Sequence, residues 1–247
     1  MKLIFLICLC LLTTRGISSE DSNQHQYRLV FEDNFEFFDD KKWEYEENFR
    51  HSAQNSREMV RVEDGKLIIT TENKDQNYKT GIVKTKFTGL RGYWEIRAKF
   101  GKINKGIWVA AWTYFPHNYE IDLFENRSFD INDKNISGYI TSSVHWNGYG
   151  PAHKSIGNDS GERNLDKNYH IYGLEITDSE IIWYIDGKRY WKVYNLEVEK
   201  PLNLMNLIIS VEMSSLLDGW TKDLPKNNFK EDVIFVDWVK IYAKQKL

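Results

Sequence analysis

Seven residues, Tyr119-Glu120-Ile121-Asp122-Leu123-Phe124-Glu125, set three carboxylates among apolar side chains. Read as a strand, Glu120 and Asp122 share one face, and Ile121 and Leu123 point the other way. Glu125 is an odd offset from both and falls on the core face of a regular strand. One bulged residue at Leu123 or Phe124 shifts the register and returns it to the carboxylate face. The bulge also spares the fold an unpaired buried charge, which is costly. Two carboxylates facing one sugar suggest cleavage of a glycosidic bond. A retaining mechanism wants them roughly 5–5.5 Å apart, one as nucleophile and one as acid and then base. Clustering raises at least one carboxyl pKa by like-charge repulsion and keeps an acid protonated near neutral pH. Asp122, between the two, can share a proton with the nucleophile or hold it by a hydrogen bond. The competing reading is a solvated acidic strand edge, which three acids interleaved with Ile, Leu and Phe fit poorly.

A sugar needs a platform as well as acids. The segment just before the cluster, 106–115, places Trp108, Ala110, Trp112 and Tyr114 on one side and Ile107, Val109, Ala111, Thr113 and Phe115 on the other. A strand apolar on both faces fits core on one side and a ligand cleft on the other. Apolar C–H faces of sugar rings stack on such aromatics. Aromatic residues make up 15% of the chain, with 13 Phe, 14 Tyr and 9 Trp. A large aromatic core is the alternative use for them.

Strand-like runs dominate the elements that must position these groups. They cover 27–31, 66–72, 81–87, 93–100, 107–115, 119–125, 137–146, 169–177, 180–185, 188–194, 204–213 and 233–243. Asp186-Gly187 between two runs is a hairpin turn signal. No long window carries a 3.6-residue period. The expected fold is all-β, an antiparallel sandwich of two sheets.

The chain has 247 residues, is 41% hydrophobic and 28% charged, and carries a formal charge of −3. That balance excludes disordered, collagenous and multi-span membrane classes. Met1-Lys2 followed by the apolar run 3–12 reads as a secretory signal peptide over 1–18, with 19–247 as a single catalytic domain. The run is too short to span a bilayer. Cleavage removes both cysteines, Cys8 and Cys10, and two positive charges, which takes the formal charge from −3 to −5. A dispersed acidic balance argues against nucleic acid or an anionic membrane as partner. Three N-x-S/T sequons start at Asn126, Asn135 and Asn158.

Five segments in order resemble glycoside hydrolase family 16, the laminarinase and lichenase family. Glu120-Ile-Asp122-Leu-Phe-Glu125 is similar to its bulged E-x-D-x-x-E signature. Gly92-Tyr-Trp-Glu95-Ile-Arg97-Ala-Lys-Phe, Ile107-Trp108-Val-Ala-Ala-Trp112, the hairpin from Tyr169 to Gly187, and Val236-Asp237-Trp238-Val-Lys-Ile-Tyr242 resemble its other strands. The resemblance implies a concanavalin-like β-jelly-roll with a concave cleft and retaining endo-cleavage of a β-linked polysaccharide. By position it implies Glu120 as nucleophile, Asp122 as its assistant and Glu125 as acid/base. Arg97 and Trp112, with Trp108, match sugar contacts, and Glu95 would orient Arg97. His145 and Trp146 stand on a strand that faces the cleft, and Ser210 or Glu212 on a later one. A hydrogen-bonded core histidine is the other reading of His145.

No cofactor is required. Asp33-Asn34-Phe35 replaces an acidic ligand of the family's structural calcium, which leaves Asp237 and the backbone around Gly65 for such an ion. The expected protein is a secreted, extracellular monomer, or a periplasmic one in a Gram-negative host. It would act on a β-1,3- or mixed β-1,3/1,4-glucan, with no nucleic acid or membrane partner. A β-galactan substrate, a non-catalytic β-glucan-binding protein and a structural sandwich are the rivals.

Overall fold

The computed structural model describes residues 27–89, 91–115, 119–161, 163–194, 204–214 and 223–245. The expected leader, 1–18, lies outside them. The described strands are, in order, β1 (Tyr27–Asp33), β2 (Trp43–Tyr45), β3 (Phe49–Arg50), β4 (Ala53–Asn55), β5 (Val60–Glu63) and β6 (Lys66–Lys74). Then come β7 (Asn77–Thr80), β8 (Ile82–Thr85), β9 (Gly92–Phe100), β10 (Ile107–Phe115), β11 (Tyr119–Asn126) and β12 (Thr141–Trp146). The last six are β13 (Lys154–Asp159), β14 (His170–Ile176), β15 (Glu180–Ile185), β16 (Lys188–Tyr194), β17 (Asn206–Met213) and β18 (Phe229–Lys244). Among the described residues a 3-10 turn, Arg57–Met59, interrupts them. Among the described residues no helix is long and apolar enough to cross a membrane.

Two sheets pack face to face in a β-sandwich. The larger runs β16-β15-β14-β9-β18-β6-β7-β4-β3, with β1 added to β18 and β5 to β6. The smaller runs β13-β12-β11-β10-β17-β8-β2. Pairing is antiparallel except between β4 and β7. Period-two alternation builds the core between the sheets. In β9, Trp94, Ile96, Ala98 and Phe100 are buried, while Tyr93, Glu95, Arg97 and Lys99 alternate with them on the outer face. In β17, Leu207, Ile209, Val211 and Met213 enter the core from the other sheet. Because alternation sends Ile208, Ser210 and Glu212 the opposite way, the smaller sheet has a second, outward face available for a site.

The hairpin between β15 and β16 turns on Asp186 and Gly187, both with positive φ (50° and 72°). That is the two-residue turn whose twist matches the strands. Asp186 earns its left-handed backbone by bonding back to β14, accepting from the Ile171 amide at 2.9 Å and from His170 Nδ1 at 2.7 Å.

The carboxylates left for a structural calcium are otherwise engaged. Asp237 is ion-paired to Arg97. Asp33 is buried and accepts from the Phe35 amide and the Trp43 indole, both at 2.9 Å. Of the sequons, Asn126 is 1% exposed and its amide donates to the carbonyls of Ser137 and Tyr139. Asn135 is exposed.

Candidate active site

The pairing of β10 with β11 settles where the three carboxylates point. Glu120 lies opposite Tyr114, Asp122 opposite Trp112, and Glu125 opposite Ala110. Their partners are every second residue of β10, so all three share one face. Between Asp122 and Glu125 the ladder slips: Ala111 pairs with Phe124 and Trp112 with Asp122, leaving Leu123 as the extra residue. Leu123 and Phe124 are both buried in the core. Phe124 packs on Tyr172 with ring centroids 4.5 Å apart.

A bulge frees backbone groups that must find partners. Here core side chains supply them. The Trp183 indole donates to the Asp122 carbonyl at 2.8 Å, and Ser142 Oγ donates to the Leu123 carbonyl at 2.6 Å. The kink that aims Glu125 is therefore tied both to the facing sheet and to the adjacent strand β12.

The carboxylates sit in a cleft of about 880 Å³ on the outward face of the smaller sheet. Its floor is β10, where Trp108 and Trp112 lie beside Ala110 and Tyr114. Trp112 is pinned by its indole N–H to Ser210 Oγ at 3.1 Å. One wall comes from β12 and the turn after it, with Ser143, His145, Tyr149 and His153. The other comes from β17 and the β3–β4 turn. There Glu212 takes a hydrogen bond from Arg50 Nε at 3.1 Å, and the Arg50 guanidinium lies 5.5 Å over Trp112. His51, at φ 52°, turns its ring edge-on to Trp108 at 5.4 Å.

Asp122 is the best-held acid. Its Oδ2 accepts from Ser143 Oγ and lies 3.3 Å from His145 Nε2. Side-chain atoms of Glu120, Asp122 and His145 all fall within 4.8 Å of one another. Burial first, then the Asp122 charge, pushes Glu120 up to about 8; the Tyr149 hydrogen bond and the His145 and Arg50 charges oppose the rise. Glu125 is pushed well up by burial and by the Asp122 and Glu120 charges, with Arg127 opposing and Glu212 adding to it. Burial alone would lower His145, but the hydrogen bond and charge of Asp122 and the charge of Glu120 leave it raised. His153 is lowered by burial and by His145. A cationic His145 donating from Nδ1 to a neutral His153 Nε2, 3.0 Å away, satisfies both shifts.

Of the residues singled out from sequence, Glu120, Asp122, Glu125, Trp108, Trp112, His145 and Glu212 line the cleft. Two need correction. Arg97 and Glu95 belong to β9 in the larger sheet and occupy its outer face, with Arg97 paired to Asp237 and 4.6 Å over Tyr169. A sugar in the cleft lies across the whole sandwich from them. Trp146, at the end of β12, packs partly against the core and also lines a small pocket beside the cleft with Glu120, His145 and Tyr149.

Sequence reasoning missed Ser143, Tyr149, His153, Arg50 and His51. Ser143 was reachable, being two residues before His145 and hence on its face. The other four sit on turns or a two-residue strand, where no periodicity announces them.

Residues 46–239 match glycosyl hydrolases family 16. The chain belongs to this family. The alpha subunit of clotting factor G from Tachypleus tridentatus is 28% identical over 245 residues, covering 90% of this chain and 35% of that subunit. Glucan endo-1,3-beta-glucosidase A1 from Niallia circulans is 25% identical over 272 residues, covering 88% of this chain and 38% of the enzyme. The chain spans little more than a third of the length of these two relatives. A solved family 16 protein from Bacteroides ovatus, in complex with a mixed-linkage glucan product, superposes with a TM-score of 0.71 at 21% identity. That match covers 85% of this chain and 99% of the other and carries the fold. In this family 16 chain, the bulged strand and the tryptophan-floored cleft are thus parts of one arrangement.

Proposed function

We propose that this family 16 chain is a secreted, retaining endo-glycoside hydrolase acting on a β-1,3- or mixed β-1,3/1,4-glucan. One observation carries the reading: the β11 bulge gathers Glu120, Asp122 and Glu125 on one face of a cleft floored by Trp108 and Trp112. The similarity to a glucan endo-1,3-beta-glucosidase and to a glucan-bound fold supports the substrate class.

The chemistry follows from the unequal surroundings of the two glutamates. Three groups favour ionised Glu120, namely Tyr149, His145 and Arg50, while Arg127 alone opposes the rise of Glu125. Glu120 is therefore the first to lose its proton and Glu125 the one that keeps it. The Glu120 carboxylate attacks the anomeric carbon as the glycosidic C–O bond breaks, and Glu125 gives its proton to the departing oxygen. Glu125, now a base, takes a proton from water whose oxygen attacks the same carbon. The glycosyl ester breaks and Glu120 regains its charge. Asp122, clamped by Ser143 and His145, fixes the Glu120 carboxylate between the two steps.

Ionised Glu120, Asp122 and Glu212 outnumber Arg50 and a cationic His145 in the cleft, which disfavours a sulfated galactan. A purely glucan-binding role leaves the protonated Glu125 without a purpose. The test is reducing-sugar release from laminarin, lichenan, agarose and carrageenan, with Glu120→Gln alongside. Release from the first two, abolished in the variant, is the expected result. Release unaffected by the substitution removes Glu120 as nucleophile. Binding without release replaces the enzyme by a glucan-binding protein.

A further inference from the structure

Tyr149 has no part in the acid triad, yet it is built into it. After β12 the chain reverses through Asn147 and Gly148, both left-handed at φ 65° and 64°. The reversal brings the Tyr149 hydroxyl to Glu120 Oε1, to which it donates at 2.6 Å. The ring is held from behind. It stacks on His153 at 4.8 Å, and His153 stacks on His145 at 5.2 Å with planes 9° apart. His145 is itself fixed by Asp122 and Ser143. The phenol thus touches a reacting carboxylate at its near end and, through two imidazoles, leans on the carboxylate next to it.

We propose that Tyr149 is a further catalytic residue, whose hydroxyl holds Glu120 Oε1 through both halves of the displacement, with His153 as the positioning residue behind it. This rests on the reading of Glu120 as nucleophile. When the other oxygen of Glu120 bonds to the anomeric carbon, Oε1 becomes an ester carbonyl and accepts a weaker hydrogen bond than the anion did. In the second half the anion returns, and the bond strengthens as the ester breaks. Tyr149 therefore assists departure of Glu120 from the intermediate more than its attack. It also keeps Glu120 ionised to lower pH. The titratable and charged groups facing Glu120 are Asp122 and Glu125 on its own strand, Tyr114 from β10, Arg50 from β3, and His145, Tyr149 and His153. Of these, the Tyr149 hydroxyl is bonded directly to Oε1.

Two measurements on Tyr149→Phe test this in the intact protein. The first is a carbon NMR titration of glutamate carboxyls, with the Glu120 signal assigned by its loss in Glu120→Gln. Removing the donor should raise the Glu120 midpoint, on the order of one pH unit, and His153→Ala should move it less in the same direction. The second is pre-steady-state hydrolysis of an aryl β-glucan oligosaccharide. The variant should release a burst of phenol, with kcat and KM falling together by about tenfold, and the acid limb of its kcat/KM profile moving to higher pH. Tyr149 is 64% exposed, so the variant keeps the fold, checked by an unchanged Tm. An unmoved midpoint in an active enzyme overturns the role of Tyr149 and leaves the hydrolase intact. A moved midpoint in a protein that cleaves no glycan overturns the catalytic role together with the hydrolase reading.

Discussion

Glu120 and Glu125 are the same side chain five positions apart, and only their neighbours divide the work between them. A carboxyl pushed up by burial holds its proton in the native state at a pH where the unfolded chain has released it. Stability therefore falls as pH rises above the ordinary glutamate range. For Glu125 this gives a sign that can be checked: Glu125→Gln should match the parent in Tm near pH 4 and exceed it near pH 8. The same substitution should cost roughly 10²–10⁴-fold in glucan hydrolysis. It should also erase the alkaline limb of the pH profile, because the protonated form is the active one and is lost as pH rises. A Glu125→Gln protein less stable than the parent at pH 8 would contradict the burial argument. Arg97 makes the opposite case. It pairs with Asp237 on the far face, both partly exposed, so Arg97→Ala should leave KM for glucan unchanged and cost under about 1 kcal/mol. A rise in KM would put Arg97 back in the cleft.

At the scale of elements, the bulge in β11 is the device on which the site depends. Its freed carbonyls are met from the core, so its stability should depend on Trp183 more than packing alone requires. Trp183→Phe leaves the Asp122 carbonyl buried without its donor, at a cost of about 1–3 kcal/mol for the lost bond, read by urea unfolding. Glucan hydrolysis should fall as well, because Asp122 and Glu125 flank the kink. Full activity in a destabilised variant would show the bulge held by other means.

Much of this was legible in the sequence. Alternation in β9, β10 and β17 sorts inward from outward residues, and the odd offset of Glu125 requires an extra residue where the ladder slips. The same signal misleads at Arg97: a period of two tells a residue's face but not which of two sheets carries it. Three-residue strands such as β2 are too short to show a period. The edge strand β13 is exposed along nearly its whole length and alternates too little to be seen. His153 and Tyr149 escape for that reason, since they sit on the connection to a strand the sequence does not announce.

Across the whole molecule the sandwich gives each sheet one shared face and one private face, and chemistry takes the private face of the smaller sheet. The charge placed there is uneven. With Glu125 holding its proton, Glu120, Asp122 and Glu212 carry the negative charge across the floor, against Arg50 on Glu212 and a cationic His145 on Asp122. A cleft with low-dielectric walls focuses such a field and repels anions before they reach contact. A neutral glucan does not feel it. Hydrolysis of laminarin should therefore stay level as salt rises from 0.1 M to 1 M, although the Debye length shrinks from about 10 Å to about 3 Å. A sulfated glycan should be cleaved poorly at low salt, with whatever release occurs increasing as salt screens the acids. Glu212→Gln, which removes one negative charge while Arg50 remains, should favour the sulfated substrate relative to laminarin. Initial rates on laminarin and carrageenan across that salt range decide the matter. A carrageenan rate that exceeds the laminarin rate at low salt and falls on screening would mean that the cleft attracts anions, and the neutral-glucan reading would fail with it.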